Sequence, residues 1–285
     1  MNLIYFQGLN CYHVCVISLA NHFGINYPDA FATLWSETDF RYDSYHQVYL
    51  TKRMLTNLEA LGARVEALAC PAPEDADRAL SLFQEGEFMI VGMDAFYIPW
   101  DPFYQTFHGP HYFITQYAKT DRFLCFDPTY NKKNEQIDCQ EITMHTFEIC
   151  RMTKAAQKSL KTEAIHEAQE ILHTHPNTHS VLLSQIHDCI GGERKNMILL
   201  AKYIDAMINN RYLYRFFLED QPLPYDENHL LLKDNFFLEW KAVKNGLYKA
   251  SIKKNNEDII HDVSDRFSHL IEKEITMSER IISGI

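Results

Sequence analysis

The chain has 285 residues, of which 46% are hydrophobic, and a formal net charge of −11. This composition predicts a folded protein with a well-buried core, and the charge argues against nucleic acid as the main partner because phosphate binding needs a basic surface. The longest apolar runs, such as residues 88–98, "FMIVGMDAFYI", are shorter than the roughly 18–20 residues of a membrane-spanning helix. No membrane span is therefore predicted.

The cysteines indicate the compartment. Seven of them are scattered along the chain without a repeating framework. An odd number at irregular spacing is typical of reduced thiols in a cytosolic protein. No basic segment precedes a long apolar stretch near the first residues, so no secretory signal peptide is expected. We therefore predict a cytoplasmic protein.

The first part of the chain alternates helical and strand-like segments. Residues 12–23 have helical apolar spacing and are followed by Gly24, a typical helix stop. Similar spacing predicts helices over 47–61 and 74–86, and the alternating segment "ARVEAL" between them, residues 63–68, predicts a strand.

Three further segments are rich in the aromatic and branched residues that favour β-sheets: 87–98, 111–118 and 122–129. The second and third are separated by "KTD", a plausible tight turn. They are therefore predicted to pair as an antiparallel hairpin.

Beyond about residue 150 the pattern becomes helical, and four or five helices are predicted. The loops between them are expected at 174–179 ("THPNTH"), 190–194 ("IGGER") and 220–228 ("DQPLPYDEN"). The predicted domains are thus 1–150, with the sheet, and 151–285, a helical bundle-like region. Aromatic residues of the second domain are expected to form its core: Tyr203, Tyr212, Phe216 and Trp240.

Cys11 immediately precedes the helix predicted at 12–23. Backbone N–H groups and the helix dipole at such a position stabilise a thiolate, which is the nucleophilic form of cysteine. A free cysteine is also often a small buried hydrophobe, so its position alone leaves both interpretations open.

A histidine and an aspartate complete a catalytic pattern. His111 opens one strand of the predicted hairpin and Asp127 closes the other, so the hairpin brings the two ends together. In cysteine hydrolases and acyltransferases an imidazole takes the thiol proton, and a carboxylate fixes the imidazole tautomer. The order cysteine, histidine, aspartate is that of papain-type enzymes.

Three segments in this order resemble the butirosin-biosynthesis BtrH-type acyltransferases: "NCYHVCVISLANHFG" (10–24), "FMIVGMDAFYIPWDPFYQTFHGPHYFI" (88–114) and "FLCFDPTY" (123–130). The resemblance covers roughly residues 5–130. It implies an α+β protein, with a papain-like cysteine-protease fold around an antiparallel sheet in the N-terminal domain and a helical C-terminal region.

The resemblance also implies an amide-forming acyltransferase of antibiotic-type secondary metabolism, similar to the enzymes of closthioamide-type pathways. Cys11 would be the nucleophile, His111 the base and Asp127 the orienting acid. The acyl chain would come from the phosphopantetheine thioester of an acyl or peptidyl carrier protein, with no resident cofactor or metal, and pass to a small amine or diamine. Basic residues that are candidates for contacting an acidic carrier are Lys132, Lys133, Arg194 and Lys195.

The oxyanion donors depart from the related patterns. The family commonly has a histidine before the nucleophile, where this chain has Asn10, and papain-like peptidases have a glutamine six residues upstream, where Tyr5 stands here. The backbone N–H of Cys11 is one expected donor, joined by the side chain of Asn10 or Gln7, with Asn10 preferred.

Two residues of the segment 94–110 are candidates for substrate binding. Asp94 lies in an apolar segment, where an ionised carboxylate needs a partner, so it either anchors a loop or binds the amine. Asp101 presents the same choice. Trp100 belongs to an aromatic-rich loop that is expected to line a channel and keep water from the acyl intermediate.

Other histidines and cysteines have simpler interpretations. His108 is an alternative base, but His111 is preferred because the strand begins there. Cys15 and His13 lie close to Cys11, yet a second short-spaced cysteine pair for zinc is missing, so Cys15 is assigned to the core and His13 to the surface. A metal site is also disfavoured for the cluster of His173, His175, His179 and His187.

Two other functions remain open at this point. One is a peptidase or amidase that hydrolyses a peptide or thioester with the same three residues. The other is a non-catalytic module that only binds a carrier protein.

Overall fold

The computed structural model describes residues 1–6, 8–43, 48–68, 80–118, 121–156, 164–220 and 229–283. Its strands are β1 (Phe40–Asp43), β2 (Val48–Thr51), β3 (Ala63–Leu68), β4 (Phe88–Asp94), β5 (Pro110–Tyr117), β6 (Arg122–Asp127), β7 (Lys132–Asp138) and β8 (Thr146–Lys154). Its α-helices are α1 (Cys11–His22), α2 (Arg53–Ala60), α3 (Cys139–His145), α4 (Ala164–His187), α5 (Arg194–Asp220), α6 (Asp234–Ser251) and α7 (Glu257–Ser283). The protein is therefore α+β, as predicted.

The chain divides into two compact units. Unit 1 comprises Met1–Tyr27 and Leu58–Ser159, and unit 2 comprises Pro28–Asn57 and Leu160–Ile285. This division differs from the predicted domains 1–150 and 151–285 because residues 28–57 group with the helices. Within unit 2, the Trp35 ring stacks on Tyr214, with centroids 5.6 Å apart, and the Phe40 ring meets Tyr203 edge-on at 5.2 Å.

A six-stranded antiparallel sheet, in the order β3–β8–β4–β5–β6–β7, forms the centre of unit 1. Met89, Val91 and Met93 of β4 point into a core cluster on one face. On the other face, α1 packs against β4 and β5. Because β4 is covered on both faces, its sequence is a continuous apolar run rather than an alternating one. The predicted hairpin is confirmed: β5 and β6 pair antiparallel, with Ile114 opposite Phe126.

Helix α1 is buried over most of its length. It begins one residue earlier than predicted, and residues 13–20 are all buried. The assignment of His13 to the surface is therefore wrong, since its side chain is 3% exposed. Burial lowers the pKa of His13 to about 4, so its ring is neutral near pH 7. The reason is the packing of α1 on the sheet, which leaves little of its surface to solvent.

Within its described residues, unit 2 contains four long helices. Helix α4 packs against α7, α5 against α6, and α6 against α7. The predicted loop at 174–179 is wrong, because α4 continues through Pro176. Proline removes one helical hydrogen bond and usually kinks or ends a helix. Here His175 is fixed by a 2.7 Å hydrogen bond to Glu274 of α7, and contacts of this kind hold the helix across the proline.

The strand predicted to reach residue 98 ends at Asp94, and the helix predicted at 47–61 is only partly confirmed. Its first part is the strand β2, which pairs with β1, and α2 begins only at Arg53. The loop at 190–194 is confirmed between α4 and α5, with Gly191 at a φ of 66°. Of the helix predicted at 74–86, residues 74–79 lie outside the described residues, residues 80 and 81 are helical and residues 82–86 are not. The turn at 119–121 and the loop at 220–228 lie largely outside the described residues.

Among the described helices, none combines the length and apolar character that crossing a membrane would require.

Candidate active site

Cys11 is the first residue of α1. Asn10 precedes it in an extended conformation, and the Asn10 side-chain oxygen accepts a 2.9 Å hydrogen bond from the His13 backbone N–H. This is a helix N-cap, and it fixes the direction in which the helix starts. Because the cap uses the carboxamide oxygen of Asn10, the amino group of that side chain remains available as a hydrogen-bond donor. Gln7, the other predicted oxyanion residue, lies outside the described residues.

His111 and Asp127 are brought together by the β5–β6 hairpin. The His111 Nε2 atom lies 2.7 Å from Asp127 Oδ2. Asp127 is completely buried, and its other oxygen, Oδ1, accepts hydrogen bonds from the backbone N–H groups of Thr129 and Tyr130, at 2.9 and 3.3 Å. The turn after β6 therefore holds the carboxylate in place, and the carboxylate holds the imidazole.

The third predicted residue, Cys11, contacts His111 as well. Burial lowers the pKa of His111, but its hydrogen bonds to Asp127 and Cys11, together with their negative charge, outweigh that effect and raise the pKa to about 10. His111 is therefore an imidazolium near pH 7. Since Asp127 occupies Nε2, the nitrogen that remains for the thiol is Nδ1.

Two more residues enclose the imidazole. The ring of Tyr130 stacks on His111, with centroids 5.0 Å apart and planes 24° from parallel. Asp101 is 5% exposed, and its Oδ2 atom lies 3.9 Å from His111 Nδ1. His111 itself is 5% exposed, so little water reaches the ring. The proximity of Asp101 to His111 could not be predicted from the sequence, because it depends on how the loop after β4 folds.

Trp100 has a different contact from the one predicted. Its indole Nε1 donates a 2.9 Å hydrogen bond to Asp127 Oδ2, the same oxygen that binds His111. Its ring meets Phe113 of the core edge-on at 5.3 Å. Trp100 is thus a positioning residue for the carboxylate.

Asp94 and His108 form a separate pair in the loop after β4. The Oδ1 atom of Asp94 accepts hydrogen bonds from the backbone N–H groups of Phe96 and Gly109, and Oδ2 lies 2.7 Å from His108 Nδ1. The His108 side chain is 66% exposed and stacks on Phe96. Asp94 thus anchors the loop, and His108 lies with it rather than with Asp127.

Cys15 belongs to the core, as predicted. It is completely buried, and its Sγ atom lies 3.5 Å from the backbone oxygen of Tyr112. Burial raises the pKa of the Cys15 thiol, which makes it a poor nucleophile. No group of three or more potential metal ligands is arranged around a common point within the part of the chain that the structure describes.

Comparisons with protein-family models and with curated proteins gave no match.

Proposed function

We propose that unit 1 is a papain-like catalytic domain and that the protein is a cysteine-dependent, amide-forming acyltransferase. The observation that carries this proposal is the position of His111, which contacts both the Cys11 thiol and the buried Asp127 carboxylate. A helix that begins with the cysteine and packs on an antiparallel sheet is consistent with the papain-like fold.

In the first half-reaction the Cys11 thiolate attacks the carbonyl carbon of a carrier-bound thioester. The new C–S bond forms to Cys11, and the C–S bond to the phosphopantetheine arm breaks. His111 gives its Nδ1 proton to the departing sulfur, so the carrier leaves as a thiol and the imidazole becomes neutral. The backbone N–H of Cys11 and the amino group of Asn10 are the proposed donors to the transient oxyanion.

In the second half-reaction a neutral amine attacks the acyl-cysteine. A C–N bond forms, the C–S bond to Cys11 breaks, and the amine proton passes to His111. This restores the thiolate and the imidazolium and releases an amide. The carrier protein and the amine are the proposed partners, and the chemistry requires no resident cofactor. Reduced thiols, which this mechanism needs, are consistent with the predicted cytoplasmic location.

The proposal predicts a covalent intermediate that intact-protein mass spectrometry can detect. Incubation with an acyl-pantetheine thioester is expected to add one acyl mass to the native chain and none to Cys11→Ala, because the variant lacks the attacking sulfur. Cys139→Ala, which removes another partly exposed thiol of unit 1, is the matched control and should still be acylated. Equal labelling of the native and Cys11→Ala proteins would remove Cys11 from the nucleophile role.

A further inference from the structure

A half-buried carboxylate, Glu148, lies on the face of the sheet that α1 covers. Glu148 of β8 is paired across the strands with Gly92 of β4, which is paired in turn with Tyr112 of β5. Cross-strand partners project on the same face. Because Gly92 has no side chain, the Tyr112 ring extends over it, and its Oη donates a 2.5 Å hydrogen bond to Glu148 Oε2. A Cβ atom at position 92 would lie only 2.7 Å from that ring.

Aromatic rings gather at the same place. Tyr12 meets Tyr112 edge-on, with centroids 5.2 Å apart, and Phe147 meets it at a right angle at 5.5 Å. The pairing of β4 with β8 shifts register between Gly92 and Met93, and such bulges redirect side chains. Phe147 stays 46% exposed as a result, although its ring approaches Gly92 closely. Three rings and one carboxylate therefore meet around a single glycine.

This group adjoins the proposed nucleophile. Tyr12 follows Cys11 directly in the first turn of α1. Burial, the hydrogen bond to Glu148 and the charge of that carboxylate raise the pKa of Tyr112. Tyr12, the neighbour of Cys11 in the chain, contacts the Tyr112 ring, and Tyr112 in turn is hydrogen-bonded to Glu148.

Among the residues that the structure describes, no cation balances the charge of Glu148. None of the Lys, Arg or His side chains in the described part of the chain forms an ion pair with it within 4.0 Å. Its neighbour Cys150 is neutral, because burial and Glu148 together raise the pKa of that thiol to about 12. A half-buried carboxylate without a counterion, flanked by aromatic faces, is suited to bind an organic ammonium ion.

We infer that Glu148, Tyr12, Tyr112 and Phe147 form a subsite, here called the ammonium subsite, that binds the charged, non-reacting end of a diamine acceptor. The inference rests on the proposed function, since it assigns the acceptor class of the same acyl transfer. The neutral end of the diamine attacks the acyl-cysteine and gives its proton to His111. The other end remains protonated, pairs with the Glu148 carboxylate and contacts the aromatic faces.

Glu148→Gln tests the ammonium subsite, because glutamine keeps the shape and can still accept the Tyr112 hydrogen bond but carries no charge. With acyl-Cys11 as the starting state, the KM for 1,4-diaminobutane is expected to rise about tenfold or more, while the KM for butylamine and the rate of acylation stay unchanged. Glu66→Gln, which removes an exposed carboxylate from β3, is the charge-matched control and should behave like the native protein. The Phe147→Ala variant, which removes a half-exposed ring of the subsite, should also lower the selectivity for the diamine over the monoamine.

The outcomes separate the two proposals. Normal acylation with the same diamine-to-monoamine KM ratio in Glu148→Gln and the native protein would overturn the ammonium subsite and leave the acyltransferase standing. Failure of the native protein to form acyl-Cys11 would overturn the acyltransferase. In that case titration calorimetry of the resting protein with 1,4-diaminobutane still tests whether the ammonium subsite binds a diamine. Binding at least tenfold weaker in Glu148→Gln supports it, and equal binding, or none by the native protein, overturns it.

Discussion

His111→Ala is expected to acylate at Cys11 about 10²–10⁴-fold more slowly than the native protein, which is the usual contribution of a positioned general acid–base. The variant loses both the imidazolium that favours the thiolate and the proton that the leaving sulfur requires. Single-turnover acylation by an acyl-pantetheine thioester, followed by mass spectrometry, measures the rate directly.

His108→Ala provides the matched control, because this histidine lies three residues away in the chain and pairs with Asp94 instead of Asp127. It is expected to acylate at nearly the native rate. A loss in His108→Ala as large as that in His111→Ala, or a native rate in His111→Ala, would show that the imidazole next to Asp127 is not the proton carrier.

The largest expected effect on stability concerns a charged network buried in unit 2. Glu274 of α7 accepts hydrogen bonds from Arg211 Nε and Nη2 of α5, at 2.5 and 2.6 Å, and its Oε2 atom lies 2.7 Å from His175 Nε2 of α4. All three side chains are almost completely buried, and the Arg211 guanidinium lies 4.5 Å from the centre of the Trp240 ring. One carboxylate thus joins three helices.

Glu274→Gln is expected to lower the free energy of unfolding by about 3–5 kcal/mol, because it leaves the buried Arg211 charge without a counterion. Urea denaturation of the native protein and the variant measures this difference. Glu272→Gln, on an exposed position of the same helix, should change stability by no more than about 0.5 kcal/mol. Equal destabilisation by the two variants would contradict a special role for the buried network.

The contribution of the Glu274 carboxylate to the free energy of unfolding should also depend on pH. Burial raises the pKa of this carboxyl, but the Arg211 charge and the hydrogen bonds to His175 and Arg211 outweigh it and lower the pKa to about 2, from an ordinary value of 4.5. The stabilisation is therefore complete above pH 4.5 and is lost as the pH falls toward 2. The difference between the native protein and Glu274→Gln should shrink over that range, and a difference that grows instead would contradict this assignment.

The sequence was most informative where local pattern and chemistry coincide. The helical spacing after Cys11, with Gly24 as the stop, predicted α1 to within one residue at each end. The aromatic and branched residues of β5 and β6 predicted the hairpin, and the hairpin alone was enough to bring His111 next to Asp127. Short-range signals therefore identified all three residues of the candidate site.

Features that depend on packing between segments far apart in the chain could not be predicted from the sequence. His13 looked like a surface residue because its burial depends on the sheet that α1 covers. Strand β7 was missed because it lies at the sheet edge and buries only Ile137, so its sequence is polar. Residues 28–57 group with the helices of unit 2 through contacts such as that between Trp35 and Tyr214. No local sequence pattern predicts such a contact.

The ammonium subsite was missed for a similar reason. Tyr112 and Glu148 are 36 positions apart, and their contact depends on the order of β8, β4 and β5 and on a glycine between them. The only sequence signal for it was Gly92 inside an otherwise continuous apolar strand, since an isolated glycine in a strand often marks a close approach or a bulge.

The central claim is that acyl-Cys11 gives its acyl group to an amine rather than to water, and the fate of the isolated acyl-enzyme tests it most directly. Protein loaded with an acyl group and freed of excess thioester is mixed with 1,4-diaminobutane or with buffer alone, and the adduct and the products are followed by mass spectrometry. We expect the adduct to disappear faster with the diamine and to yield the corresponding amide. Loss of the adduct at the same rate in both solutions, with only the free acid formed, would contradict the acyltransferase and identify a hydrolase.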